Sequence, residues 1–246
     1  MKTDQDPVHA LDPTSAIAPQ IARILRDRII RNQLSPGNRI SESEIARGWD
    51  VSRQPVREAF IKLAEQGLVA ILPQRGTVIS RIAYSAVMDA RFLREAIEAD
   101  ISTILAHRAD AALVAELRAQ LVAQERAAER DRDEFIALDE RFHRTLAEAA
   151  GKGGAWKQIE GLKSQMDRVR FLSLHRFPMA KLIAQHSAIV EGIAQGDCAE
   201  AEGAIRRHMR EILFDLPEIL AANPEFFDLP EGDLPAPVNV PIQGGD

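Results

Sequence analysis

The chain is 246 residues long, 46% apolar and 28% charged, with only 5% aromatic residues and one cysteine. That length accommodates two domains of ordinary size, and the lone Cys198 excludes an intramolecular disulfide framework and fits a reducing compartment. No apolar run approaches the roughly 20 residues a membrane span needs, and the opening MKTDQDPVHALDPTS lacks the apolar stretch of a secretory leader, so a cytoplasmic location is expected. The net charge of −6 argues against a polyanionic partner until its distribution is considered. Residues 1–80 carry 11 Lys and Arg against 9 Asp and Glu, the remainder 20 against 28. A slightly basic front half precedes an acidic body, so locally placed arginines must carry any attraction to phosphate.

Residues 1–14 are polar and contain proline, the pattern of a flexible tail. From 15 to 33, Ile17, Ile21, Ile24, Leu25 and Ile29 recur at helical spacing, and Leu34-Ser35-Pro36-Gly37 ends that helix. Ser41 with Glu44 reads as a capping box opening a short helix to about Trp49. Asp50-Val51 makes a turn, and Ser52 is placed to cap a second helix that stops at Gly67. Two short runs of β character follow, Leu68 to Leu72 and Thr77 to Arg81, around a hairpin tip at Pro73-Gln74-Arg75-Gly76. Beyond 82 the pattern is helical throughout. Amphipathic stretches are expected over 84–108, 110–130, 132–149, 155–174, 178–195 and 197–221, an antiparallel bundle. Residues 223–246, rich in Pro, Gly and acidic side chains, are expected to form a second flexible tail. The fold class is therefore mainly α: a winged helix-turn-helix over 15–81 and an all-α domain over 82–222.

In a winged helix-turn-helix the second helix of the turn enters the major groove with its N-terminal residues against base edges. Here those are Ser52, Arg53, Gln54 and Arg57, with Pro55 in the first turn, where a missing amide costs little. Arg suits bidentate bonding to guanine and Gln to adenine. Arg75 beside Gly76 at the wing tip is placed for the minor groove or phosphate, and Arg39 and Arg47 for the DNA backbone. A basic first turn alone is also the pattern of an ordinary solvated helix end. The whole run LSPGNRISESEIARGWDVSRQPVREAFIKLAEQGLV, continuing ILPQRGTVIS, resembles the N-terminal domain of GntR-family regulators, with the VSRxPVREA and RGxxV signatures present. The resemblance implies that Arg53, Gln54 and Arg57 read DNA and that the Arg75-Gly76 wing supports them. Ser43 departs from it, standing where some members carry a DNA-contacting arginine; Arg47 is the available substitute.

In the second half Asp139 and His143 are four residues apart and project from one helix face. His186 and His208 lie on two later helices. Three imidazoles and a carboxylate suit a divalent metal, Zn²⁺ first and Ni²⁺ or Mn²⁺ otherwise, and facing helices of a bundle can converge such groups. An Asp/His pair at this spacing is equally a common surface pair. Residues 84–215 are similar to the FCD domain, the helical half of FadR-subfamily GntR regulators, with QHSAIVEGI and Gly196-Asp197 through Ala204 to His208 as matching text. In many members Asp-x3-His and two later histidines hold a metal, which places the ligands at Asp139, His143, His186 and His208, and the bound effectors are small organic acids. By the same resemblance Arg94 faces the effector cavity, with Glu98 one turn on; Arg168, Arg170 and His175 are further candidates for its lining.

No phosphate-binding glycine loop, Cys-x-x-Cys pair or nucleophile elbow is present. The expected function is a non-enzymatic, homodimeric transcription repressor of a palindromic operator, modulated by a small carboxylate. The rival is a metal-dependent hydrolase or lyase with an accessory helix-turn-helix.

Overall fold

The computed structural model describes residues 11–173, 178–230 and 232, and the chain divides into two compact units. The first holds α1 (Ile17–Ile30), β1 (Arg39–Ile40), α2 (Glu42–Gly48), α3 (Arg53–Glu65), β2 (Val69–Leu72) and β3 (Gly76–Ile79). Ile21, Leu25 and Ile29, one stripe of α1, bury against Val56, Ala59, Phe60 and Leu63 of α3, and Ile40, Leu68, Val69 and Ile79 close the same core. The wing is a three-stranded antiparallel sheet in the order β1-β3-β2, one strand more than the sequence suggests. β1 has only two residues, too few to show a period of two, and owes its strand character to pairing with Thr77 and Val78.

Both serines expected to cap helices adopt extended backbone at the cap position, but neither side chain bonds a first-turn amide. At α2 the Ser41 hydroxyl instead pairs with that of Ser43 at 2.8 Å, so the predicted capping box does not form. The turn between α2 and α3 is made as expected. Asp50 takes a left-handed φ of 52° and Val51 N donates to Ala46 O at 2.9 Å, a conformation Asp tolerates better than most residues.

The second unit contains α4 (Tyr84–Arg108), α5 (Ala111–Ala128), α6 (Arg132–Ala149), α7 (Gly153–Leu162), α8 (Ser164–Ser173), α9 (Met179–Ala194) and α10 (Cys198–Ala222). Asp110 and Asp131 cap α5 and α6, each accepting from two first-turn amides. The stretch expected to be one helix over 155–174 is two, α7 and α8, meeting at Lys163. That lysine is buried and its ammonium bonds both Glu140 and Asp167 at the joint. Leu105, Leu117, Phe142, Leu146, Trp156, Ile189, Ile193, Ile205 and Met209 form the core.

Part of the C-terminal segment read as a tail without structure is ordered. Pro224–Phe226 forms a 3₁₀ turn and β5 (Phe227–Asp228) pairs in parallel with β4 (Ile82–Ala83), Phe227 opposite Ile82, with both side chains buried. Two strand residues among prolines carry no periodic signal; burial of Phe227 is what fixes them. The chain from α10 thus returns to the first unit.

α9 and α10 approach closely at Gly192, where a Cβ would stand 2.7 Å from the backbone nitrogen of Ala201 and 2.8 Å from its Cα. Gly192→Ala is expected to cost ~1–3 kcal/mol, a drop of several degrees in Tm by calorimetry. Gly154→Ala, with nothing within 4 Å of its added methyl, should leave Tm unchanged or raised. Equal behaviour of the two variants would disprove the tight helix contact.

Candidate metal centre and nucleic-acid interface

In the first unit Ser52, Arg53, Gln54, Arg57, Arg75, Gly76, Arg39 and Arg47 are all exposed. Arg53, Gln54 and Arg57 share the opening turn and a half of α3. Their guanidiniums are not free-swinging: Arg53 Nη2 donates to Glu42 Oε2 at 3.1 Å, and Arg57 donates through Nε and Nη2 to the two Glu42 oxygens at 3.2 Å. The Arg57 hydrogen bonds hold the Glu42 carboxyl below its ordinary range; burial opposes them and Arg53 adds to the fall. Glu42 thus ties the first turn of α2 to the opening turns of α3. Nothing in the sequence singles it out, because its partners lie 11 and 15 residues away. At the wing tip Gly76 takes φ +86°, a backbone state open to glycine and strained for other residues.

In the second unit α6, α9 and α10 bring the three predicted histidines to one point. His208 Nε2 lies 3.2 Å from His143 Nε2 and 3.4 Å from His186 Nε2. Asp139, one turn before His143 on α6, places Oδ1 3.4 Å from His186 Nε2 and Oδ2 4.0 Å from His143 Nε2. All four residues are buried. Phe142 stacks on the His186 ring at 4.5 Å between centroids, and Trp156 lies parallel to the His143 ring at 6.4 Å, which restrains both imidazoles.

The opposite nitrogen of each ring faces a side-chain oxygen. His186 Nδ1 is 2.8 Å from Gln124 Oε1, His208 Nδ1 is 2.9 Å from Gln185 Oε1, and His143 Nδ1 is 2.6 Å from Glu98 Oε2. The two amides are themselves oriented, since Gln124 donates to Leu138 O and Gln185 donates to Glu211 Oε2. Gln124 and Gln185 accept from His186 and His208 in the tautomers that put the ring protons on Nδ1, while Glu98 stands 2.6 Å from a His143 Nδ1 that makes no hydrogen bond of good geometry among the described residues. In those tautomers the three Nε2 atoms present lone pairs to one another. Three acceptors at such range have no proton to share, and a cation between them satisfies all three. Asp139 Oδ2 points the same way: it is buried and has no hydrogen-bond partner among the described residues. The donor set therefore fits a divalent metal of the imidazole-preferring type.

Burial works to raise the Asp139 carboxyl, but the Arg170 guanidinium on Oδ1 outweighs it and holds the group well below the usual carboxylate range. Burial pushes the His186 imidazole down to about 3 and His208 well below its ordinary value. Both rings are neutral near pH 7, the state in which imidazole ligates.

Beside the cluster lies a cavity of about 60 Å³ whose lining includes His208, Arg94, Arg170, Met209, Lys181 and Asp215. Arg94 borders it as expected. Glu98, expected in the same lining, instead stands behind the histidines, with Oε1 2.7 Å from Arg94 Nε and its carboxyl held at about 2; burial works against that, while Arg94 and His143 favour the charged form. Arg168 does not border the cavity either; it is fully buried, with Nη1 3.4 Å from Gln165 Oε1. Two residues along a helix turn the side chain by about 200°, so Arg170 faces the cavity and Asp139 while Arg168 faces away. His175 lies outside the described residues. Gln124 is a site residue the sequence reading passed over, although a signal existed: with Leu117, Gln120 and Leu121 it lies on the buried stripe of α5, where a polar side chain needs a partner.

The neutral burial of His186 sets a pH dependence. Below its unfolded value of 6.5 the unfolded chain takes up a proton that the folded state refuses until about pH 3, so stability falls as pH falls through that window. For His186 the loss by pH 5 is ~2 kcal/mol, and His208 acts in the same direction. Chelator-treated protein is expected to melt several degrees lower at pH 5 than at pH 7; a Tm that is flat or rising toward acid would rule out neutral buried rings.

Comparison with known proteins agrees with both halves. Residues 17–79 match the family of bacterial regulatory proteins, gntR family, and residues 89–211 match the FCD domain. The chain is 39% identical over 219 residues to the HTH-type transcriptional repressor RspR of Escherichia coli K12, covering 88% of this chain and 96% of that protein. It is also 39% identical over 219 residues to an uncharacterized HTH-type regulator in an unstable DNA locus of Streptomyces ambofaciens, covering 89% of this chain and 92% of that protein. Among solved structures, a GntR regulator from Rhodococcus sp. RHA1 superposes with a TM-score of 0.66 at 26% identity over 85% of this chain and 99% of its own. These relatives are regulators rather than enzymes, which sets aside the metallohydrolase alternative. With both domains matched in chain order and relatives 39% identical over most of their length, the chain belongs to the GntR family of DNA-binding transcription regulators, in its FCD-bearing, FadR-like branch.

Proposed function

We propose that the protein is a homodimeric repressor whose hold on a palindromic operator is set by a small organic acid bound beside a metal at Asp139, His143, His186 and His208. The observation that carries this reading is the meeting of three Nε2 atoms and one carboxylate at the edge of a cavity that also contains Arg94 and Arg170. Zinc is the first choice of metal, because neutral imidazoles with one carboxylate suit it; nickel and manganese are the alternatives. The bound ion supplies positive charge and open coordination positions for an acid's oxygen. Arg170 orients the Asp139 carboxylate, Glu98 and the two glutamines fix the ring orientations, and Arg94 adds a second cation at the cavity wall.

On the DNA side, Arg53, Gln54 and Arg57 enter the major groove, Ser52 meets the backbone at the helix start, and Arg75-Gly76 reaches from the wing. Arg39 and Arg47 contact phosphate. Two such heads related by a two-fold axis match a palindrome. The reading also places the protein in the cytoplasm; no helix among the described residues is long and apolar enough to cross a membrane. An acid changes operator affinity only if it binds one arrangement of the dimer better than the other.

Two variants test the halves separately. Arg53→Ala should weaken operator binding by about tenfold or more, measured by fluorescence anisotropy on the protein's own upstream DNA, with Tm and metal content unchanged; undiminished discrimination against scrambled DNA would refute the groove assignment. His143→Ala should remove most of the bound metal, measured by elemental analysis, and abolish release of DNA by acids. Full metal occupancy in that variant would refute the ligand set.

A further inference from the structure

Glu42 does not hold its two arginines alike. Arg57 gives the carboxylate one whole side of its guanidinium: Nε donates to Oε1 and Nη2 to Oε2, both at 3.2 Å. A guanidinium carries five N–H groups in a fixed planar fork. The side-on contact therefore leaves the Nη1–Nη2 edge of Arg57, with two parallel N–H groups, turned away from Glu42. Arg53 gives only Nη2, at 3.1 Å. The arginines stand four residues apart on one face of α3, and Glu42, the first residue of α2, reaches both. The Arg53 and Arg57 side chains are 63% and 55% exposed against 23% for Glu42, so the cations stand outside the carboxylate that holds them. Between them Gln54 Nε2 donates to Glu58 Oε1 at 3.1 Å. The charges of Arg53, Arg57, Glu42 and Glu58 sum to zero.

Two kinds of DNA contact respond to this arrangement in opposite ways. A phosphate is an anion and carries no sequence information. To take the side of Arg57 that faces Glu42 it must displace one anion with another, and on any other side it is repelled by the carboxylate. A base edge is neutral. Guanine O6 and N7 fit a pair of parallel N–H groups, and the Nη1–Nη2 edge can meet them with both Glu42 bonds intact. The carboxylate thus penalises the contact that is blind to sequence and preorganises the one that reads it.

From this geometry we infer that Glu42 is a specificity-determining residue of the DNA head, a positioning carboxylate that turns Arg53 and Arg57 from general phosphate binders into base readers. The inference rests on the proposal that these arginines enter the groove. It adds a consequence that the groove reading alone does not have: removing an acidic side chain tightens binding to the wrong DNA while weakening the choice of the right one.

Glu42→Gln removes the charge and keeps the size. Anisotropy titrations of the full-length protein on its own upstream DNA and on a scrambled duplex, over roughly 50–200 mM salt, read both effects. The variant is expected to bind scrambled DNA about threefold tighter or more, with a salt dependence steeper by about one power of concentration for each guanidinium that gains a phosphate. Its preference for the upstream DNA should fall about tenfold. Glu44→Gln makes the same change of net charge two residues along α2 and should leave that preference intact. In the Arg53→Ala/Arg57→Ala background Glu42→Gln should no longer steepen the salt dependence, because no guanidinium is left to release; a purely structural role for Glu42 has no such requirement. An unchanged preference in Glu42→Gln, an equal loss in Glu44→Gln, or steepening that persists without the arginines overturns the inference. If Arg53→Ala meanwhile lowers the preference, the groove reading stands. A preference that survives Arg53→Ala, or none in the unaltered protein, overturns both.

Discussion

Three buried imidazoles with Nε2 atoms turned toward a common point, that of His208 3.2 Å from His143 and 3.4 Å from His186, are the constraint around which the helical unit is organised. Buried acceptors facing one another are unfavourable unless something positive lies between them. Each ring is prevented from turning away by a contact behind it, supplied by Gln124, Gln185 or Glu98, and by the stacking of Phe142 and Trp156. Six helices, α4, α5, α6, α7, α9 and α10, contribute to that arrangement, so the bundle and the site are specified by the same contacts.

The close approach of α9 and α10 follows from this requirement. His186 and His208 sit on those two helices, and their Nε2 atoms meet only if the backbones come near. Gly192 against Ala201 provides the room one and a half turns after His186. Arg170 and Arg94 are held on the cavity side by carboxylates that belong to the ligand set or its support, Asp139 and Glu98. Charge at the cavity is therefore coupled to the geometry of the histidines: the same carboxylate that completes the donor set also fixes the guanidinium nearest to it.

The DNA head uses a parallel device with weaker forces. Glu42 gathers Arg53 and Arg57 at an exposed site, where such pairs stabilise little but restrict where the guanidiniums lie before DNA arrives. On the proposed reading, phosphate and base edges then compete with a single carboxylate for these two guanidiniums. The head needs no cap bond from Ser52 to hold α3, because the apolar stripe of Val56, Ala59, Phe60 and Leu63 packs fully against α1.

Much was written in the linear chain. Helical periodicity gave both domains, the GntR-like run placed the arginines on an exposed helix turn, and the spacing of Asp139, His143, His186 and His208 named residues that do converge, because helix faces are dictated by short-range geometry. What tertiary structure alone decided are the things that depend on distant partners. Ser41 bonded Ser43 in place of an amide, the predicted helix over 155–174 broke at the buried, doubly paired Lys163, and β1 and β5 became strands only by pairing. Of two arginines two residues apart, a rotation of about 200° along the helix sent Arg170 to Asp139 and turned Arg168 away. Glu98 moved from the cavity wall to the back of His143 for the same kind of reason: sequence spacing tells which face of a helix a side chain occupies, and only packing tells what that face meets.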